Sequence, residues 1–284
     1  MENALAVQPP GRARTATVVA VGPSDRLADV ADVLSGGEDE GALHLVRIVI
    51  DGNGETLSAD RPDVITVGGL RPEYVNNAIA AVRLSSLPTI VWWRGGRAEG
   101  LDGVASLADR VVLDAEDPWP LWARTPPLFE HTVLTDVRWA RLTRWRAALA
   151  HFFDLPSVRE KGTSFSRLSI VAADRAVAAL FAGWLDAALG WRGQVVPDVS
   201  EAASGAPLES VTLEGESCRI ELCMLPNSTC LSTEGHVGSN MVASRVVSLG
   251  DQSLSALLAE ELRVRARDVA FERAVASATA ARRT

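Results

Sequence analysis

The sequence predicts an α/β protein: an N-terminal, mostly parallel sheet with flanking helices, followed by an α+β domain with an antiparallel sheet. Three observations carry this. From Thr15 to Asp114, short apolar runs alternate with helical periodicities, the pattern of strands joined by crossover helices. From Ser210 to Leu249, strand-like runs follow one another with no helix between them, the pattern of an antiparallel sheet. Between these stretches lies one amphipathic helix with two tryptophans and four arginines, Thr135 to Asp154. The boundaries that follow are a flexible tail over 1–14, an α/β domain over 15–154 and an α+β domain over 155–284.

The elements follow in order. Thr17–Gly22 reads as a buried strand, and Ser24 caps a helix through Leu34. Leu43–Ile50 is a second strand, and Val64–Val67, closed by Gly68-Gly69, a third. A helix after Pro72 carries Val75, Ile79 and Val82 on one face. Pro88–Trp93, stopped by Gly95-Gly96, and Arg110–Asp114 are the fourth and fifth strands, with a short helix through Leu107 between them. Prolines 118, 120, 126 and 127 then break the chain. In the following helix Trp139, Leu142, Trp145, Leu149 and Phe152 step by three or four residues, the spacing of one face. Thr135 or Asp136 caps its start and Leu155-Pro156 ends it. Ser164–Ala172 is a strand, Asp174 caps a helix through Leu189, and 197–207 is a polar loop. Two helices close the chain, the second capped by Asp268.

Composition limits the function. The chain has 284 residues, 47% hydrophobic and 23% charged, ordinary for a globular protein. A net charge of −8 argues against non-specific nucleic-acid binding. No apolar run approaches the roughly 20 residues of a membrane span. Three cysteines fit a reducing cytoplasm rather than a disulfide scaffold.

Motifs for cofactors and catalysis are missing. The first βα turn, Gly22-Pro23-Ser24, lacks the glycine-rich dinucleotide fingerprint, and there is no phosphate loop. Cys218, Cys223, Cys230 and His236 lack paired metal-ligand spacing. The four histidines have no recognisable nucleophile beside them. No cofactor, metal or catalytic residue is therefore assigned.

What stands out is aromatic and basic. Eight tryptophans accompany one tyrosine, and six fall between Trp92 and Trp145. As neighbours on a strand, Trp92 and Trp93 face opposite sides, which puts at least one near a surface or an interdomain contact. Arg138, Arg141, Arg144 and Arg146 beside Trp139 and Trp145 supply the residue types enriched at interface hot spots. A hairpin turn at Pro226-Asn227 sets Cys223 opposite Cys230, Leu222 opposite Leu231 and Arg219 opposite Glu234. That register makes Cys223 and Cys230 a candidate redox pair.

The run Asp136-x-x-Trp139-x-Arg141-Leu142-Thr143-x-Trp145-Arg146, followed by Phe153-Asp154, resembles the signature of the glucose-6-phosphate dehydrogenase assembly proteins (OpcA). Leu87–Trp93, Leu107–Asp114, Gly183–Trp191 and Leu258–Ala274 resemble further segments of that family in the same order. The family usually has proline at the positions of Arg144 and Arg94. The resemblance implies a cytoplasmic, non-enzymatic protein that binds glucose-6-phosphate dehydrogenase and promotes its active oligomer, in the oxidative pentose phosphate pathway. It further implies allosteric activation, in some members dependent on thiol state. Under it, Arg138, Trp139, Arg141, Arg144, Trp145, Arg146, Trp92 and Trp93 are the expected partner-binding residues. A rival expectation is a site for a small anionic metabolite, such as a sugar phosphate, near Gly68, Gly69, Arg94 and Arg97 at the strand ends.

Overall fold

The computed structural model describes residues 14–35, 43–50, 64–160, 165–264 and 266–283. The tail expected over 1–14 lies outside them except for Arg14. The chain forms two compact units, Met1–Glu116 and Asp117–Thr284.

In the first unit the strands are β1 (Ala16–Gly22), β2 (Leu43–Ile50), β3 (Val64–Leu70), β4 (Thr89–Trp93) and β5 (Arg110–Leu113). They run in the order β3-β2-β1-β4-β5, and each neighbouring pair is parallel. The helices are α1 (Ser24–Leu27), α2 (Val30–Ser35), α3 (Val75–Val82) and α4 (Gly100–Ala105). β1 and β4 are buried at every position, so both sheet faces are covered. Trp92 and Trp93 are consequently both buried, on opposite faces, so of the two expected placements the exposed surface does not apply.

Two elements differ locally from the reading. The helix expected from Ser24 to Leu34 is two short ones. Pro23 takes the cap position without a side-chain bond, and Ser24 is the first helical residue. The break falls at Asp29, whose carboxylate is drawn to Arg94. β3 runs on through Gly68 and Gly69 to Leu70 rather than ending at Val67. Its register against β2 shifts between Ile48 and Ile50, and Gly69 supplies the positive φ of 69° there.

The second unit begins with α5 (Trp119–Trp122), α6 (Thr125–Leu128), β6 (Val133–Asp136), α7 (Val137–Arg141) and α8 (Thr143–Ala150). A 3₁₀ turn (His151–Asp154), α9 (Pro156–Arg159), β7 (Phe165–Val171) and α10 (Arg175–Leu189) follow. The rest is β8 (Asp198–Ser200), β9 (Ser210–Gly215), β10 (Cys218–Met224), β11 (Cys230–Val237), β12 (Asn240–Ser248), α11 (Leu254–Arg263) and α12 (Val269–Ala281). The sheet order is β12-β11-β10-β9-β7-β8, antiparallel except for the parallel β7–β8 pair. β8 lies within the stretch expected to be loop.

The expected boundary at Asp154 moves back to Glu116. The physical reason is the stripe Trp139, Leu142, Trp145, Leu149 and Phe152. All five are buried, and Trp139 packs at 5.6 Å against Phe271 of α12. The helix therefore belongs to the core of the second unit. It is also not continuous: α7 ends at Arg141, capped by Leu142, and α8 restarts at Thr143.

The β10–β11 register is displaced by two residues. Cys223 faces Ser232, Met224 faces Leu231 and Arg219 faces His236, while Cys230 faces Ser248 on β12. The connection is longer than a two-residue turn: Leu225 N–H donates to Cys230 O at 2.9 Å, and Asn227 takes a φ of 52°. A two-residue shift preserves the faces, so Cys218, Ile220, Leu222 and Leu231 remain on the buried side. The direct opposition of Cys223 and Cys230 does not occur.

Candidate functional site

The Trp/Arg element is a polar hub inside the second unit. Asp136 is fully buried; it caps α7 by accepting from Arg138 N–H at 2.8 Å and takes the Trp122 indole N–H at 2.9 Å. The Arg138 Nε donates to Asp174 at 2.9 Å, and the other oxygen of Asp174 caps α10. Asp268 caps α12 in the same way, and its second oxygen accepts the Trp139 indole N–H at 2.7 Å. Three helix caps thus each hold one more donor of the signature stretch or its surroundings. Arg141 donates to the Gln252 carbonyl at 3.3 Å.

Arg146 lies over the Trp139 ring at 3.5 Å from its centroid. Burial lowers its pKa to about 10, against the opposing pull of Asp268, Glu261 and Glu260. Of the residues singled out in sequence, Arg138, Trp139, Arg141, Trp145 and Arg146 are thus buried or half-buried in this packing. Arg144 is exposed.

Arg144 opens onto a groove of about 190 Å³. Ala147, Ala148 and His151 continue its face of α8 at helical spacing, and Ala243, Arg245 and Val247 of β12 stand opposite. The two alanines leave the space open. At its base Phe152 lies against Gly235, where a Cβ would come within 2.6 Å of the ring. Sequence reasoning missed Arg245 and Gly235, because placing them requires the β11–β12 register. The visible signal was the pattern Arg144, Ala147, Ala148, His151.

In the first unit the chemistry gathers where β1 and β4 diverge toward β2 and β5, the switch point at which such sheets hold ligands. Arg94, 7% exposed, pairs with Asp29 and lies 3.2 Å from Asp114. It also stacks on Trp92, whose indole N–H reaches Asp114 at 3.2 Å. Arg26 of α1 donates to the Asp114 carbonyl at 2.9 Å. The turn is tightly filled: a Cβ on Gly95 would meet Pro23 at 2.7 Å. Pro23 offers no N–H, and α1 is a single turn. These residues do not fit a dinucleotide pyrophosphate. Among the described residues, those expected to form the metabolite site do not converge on one cavity either. Arg94 is taken by carboxylates, and Arg97 lines a separate cavity with Glu73 and Glu99, to which Gly68 and Gly69 do not contribute.

Fold and site together define an α/β protein with a Rossmann-like parallel sheet, whose switch point holds an arginine–carboxylate cluster. The chain belongs to the OpcA family: the family model for the C-terminal domain of the glucose-6-phosphate dehydrogenase subunit matches residues 132–275. An OxPP cycle protein OpcA from Nostoc punctiforme is 25% identical over 320 aligned positions, covering 95% of this chain and 68% of that protein. Its namesake from Synechocystis sp. is 27% identical over 128 positions, 42% of this chain and 27% of that one. Among solved structures, KijD10, a 3-ketoreductase from Actinomadura kijaniata in complex with NADP and TDP-benzene, superposes with TM-score 0.57 at 9% identity. That match covers 95% of this chain and 96% of the ketoreductase. UDP-N-acetylglucosamine 3-dehydrogenase GnnA from Acidithiobacillus ferrooxidans gives 0.52 at 12% identity, covering 94% and 97%. At such identities the likeness is one of fold.

Proposed function

We propose that this protein is a non-enzymatic assembly factor and allosteric activator of glucose-6-phosphate dehydrogenase, acting in the cytoplasm in the oxidative pentose phosphate pathway. Membership of the OpcA family supports the link to the dehydrogenase and the pathway. The observation that carries the non-enzymatic reading is the closed switch point, where Arg94, Asp29 and Asp114 occupy the place of a cofactor. Among the described residues, no helix is long and apolar enough to cross a membrane.

The mechanism is mass action. A factor that binds only the active arrangement of the dehydrogenase shifts the population toward it. In this reading Arg144 meets the partner directly. Trp139, Trp145, Arg138, Arg141 and Arg146 act by holding α7 and α8 in place, and Trp92 and Trp93 by holding the first unit's sheet.

The test is co-purification and activity with the dehydrogenase of the same organism. The expected result is a complex with raised specific activity and a larger oligomer by sedimentation. A folded chain that neither binds nor activates, under reducing or oxidising conditions, rules the proposal out.

A further inference from the structure

We propose that the groove between α8 and β12 is the docking site for an apolar segment of the dehydrogenase that carries a carboxylate. The inference rests on the assembly reading and names the surface and the chemistry it uses.

The walls are mostly apolar: Ala147 and Ala148 on the helix, Phe152 at the base, Val247 on the strand. The openings are basic. Arg144 on one wall and Arg245 on the other are exposed, and among the described residues no carboxylate pairs with either. This contrasts with the chain around them. It carries a net charge of −8, and the arginines nearest in sequence to Arg144, at 141 and 146, are half-buried and engaged within the fold. Two uncompensated guanidiniums facing one apolar slot complement an aliphatic or aromatic side chain beside an Asp or Glu.

The size fits a side chain better than a metabolite. At about 190 Å³ the groove is below the roughly 300–1,000 Å³ of small-molecule sites. β12 is the edge of its sheet, so the groove lies along a sheet margin.

The test uses the full chain and the dehydrogenase, with association measured at low and high salt. The variants are Arg144→Glu with Arg245→Glu, Ala147→Trp, and Arg273→Glu as an exposed control on α12. Wild type and R273E bind alike. The double reversal slows association about tenfold at low salt and loses most of its salt dependence. Ala147→Trp fills the groove and weakens binding with no charge change. If wild type binds and both groove variants bind as well as it does, the docking site is wrong while the assembly reading stands. If wild type does not bind at all, both fall. Thermal melts of each variant, matched to wild type, exclude unfolding as the cause.

Discussion

The indole N–H of Trp139 donates to Asp268 Oδ2 at 2.7 Å across 129 positions of sequence, while Oδ1 of the same carboxylate caps α12. One side chain therefore ties the signature helix to the C-terminal helix. Trp139→Phe keeps a ring against Phe271 but strands the carboxylate oxygen, at a cost of about 1.5–3 kcal/mol for a hydrogen bond to a charged group. Asp268→Ala removes that bond and the cap, adding roughly 0.5–2 kcal/mol. Urea unfolding of the double variant is expected to show less than the sum, because both single changes delete one shared bond. Additive losses would mean the contact does not form in solution.

Gly183→Ala is expected to destabilise although it raises helix propensity. A Cβ at Gly183 of α10 would sit 2.3 Å from the Ala274 carbonyl oxygen of α12. That atom is helix backbone and cannot swing away. In an open helix the change would stabilise by roughly 0.5–1 kcal/mol; here overpacking should cost about 1–3 kcal/mol or more. Gly235→Ala meets a ring instead, so Phe152→Leu should rescue it. The sign of the G183A effect in a thermal melt decides the point.

Periodicity and caps were legible in the sequence where one local rule governed. Asp174 and Asp268 cap the helices that follow them, and Leu43–Ile50 is the second strand, because each depends on neighbours in sequence. The buried stripe from Trp139 to Phe152 was equally readable. What it packs against was not, since that depends on α10, α11 and α12. The Cys223–Cys230 pairing failed because loop length, rather than residue type, sets hairpin register, and a two-residue slip keeps every side chain on its face while changing its partner. Sequence spacing alone makes the four arginines of the signature equally available to a partner. The carboxylates that engage Arg138 and surround Arg146 lie on other elements, so only Arg144 kept that character.

His44 gives the first unit an acid limit. Burial in β2, with Arg14 at 3.0 Å from Nδ1, lowers its pKa below the ordinary 6.5. The folded form keeps it neutral while the unfolded chain takes up a proton. Its contribution is therefore fully present above about pH 6.5 and is lost as the pH falls toward the lowered folded value. His44→Gln should flatten the pH dependence of stability in that window. An unchanged profile would show that other groups set it.

Cys223 should be a slow thiol. Burial, then Glu221 and Glu209, push its pKa up, and Cys218 is raised by burial. Thiolate is the reacting form, so at pH 8 alkylation of both should be slower in the native protein than in the urea-unfolded chain. Mass mapping of timed iodoacetamide labelling checks this, and native rates matching the unfolded ones would refute it.

Arg94 sits at the switch point of the parallel sheet. It pairs with Asp29 and Asp114 there and covers the Trp92 ring. Arg94→Met removes the charge yet keeps much of the stem, leaving Asp29 and Asp114 without their shared cation, with Arg26 still beside Asp114. The expected loss is roughly 1–3 kcal/mol, modest because Asp29 is half-exposed to water. The same variant should gain no affinity for nicotinamide dinucleotides. Pro23 still lacks an N–H, α1 is still one turn, and the exposed carboxylates repel phosphate. A thermal-shift titration of wild type and R94M with NADPH should give no saturable stabilisation for either. Saturable stabilisation of R94M alone would mean that Arg94 by itself closes an otherwise competent site. Stabilisation of wild type would overturn the reading of the crevice as closed.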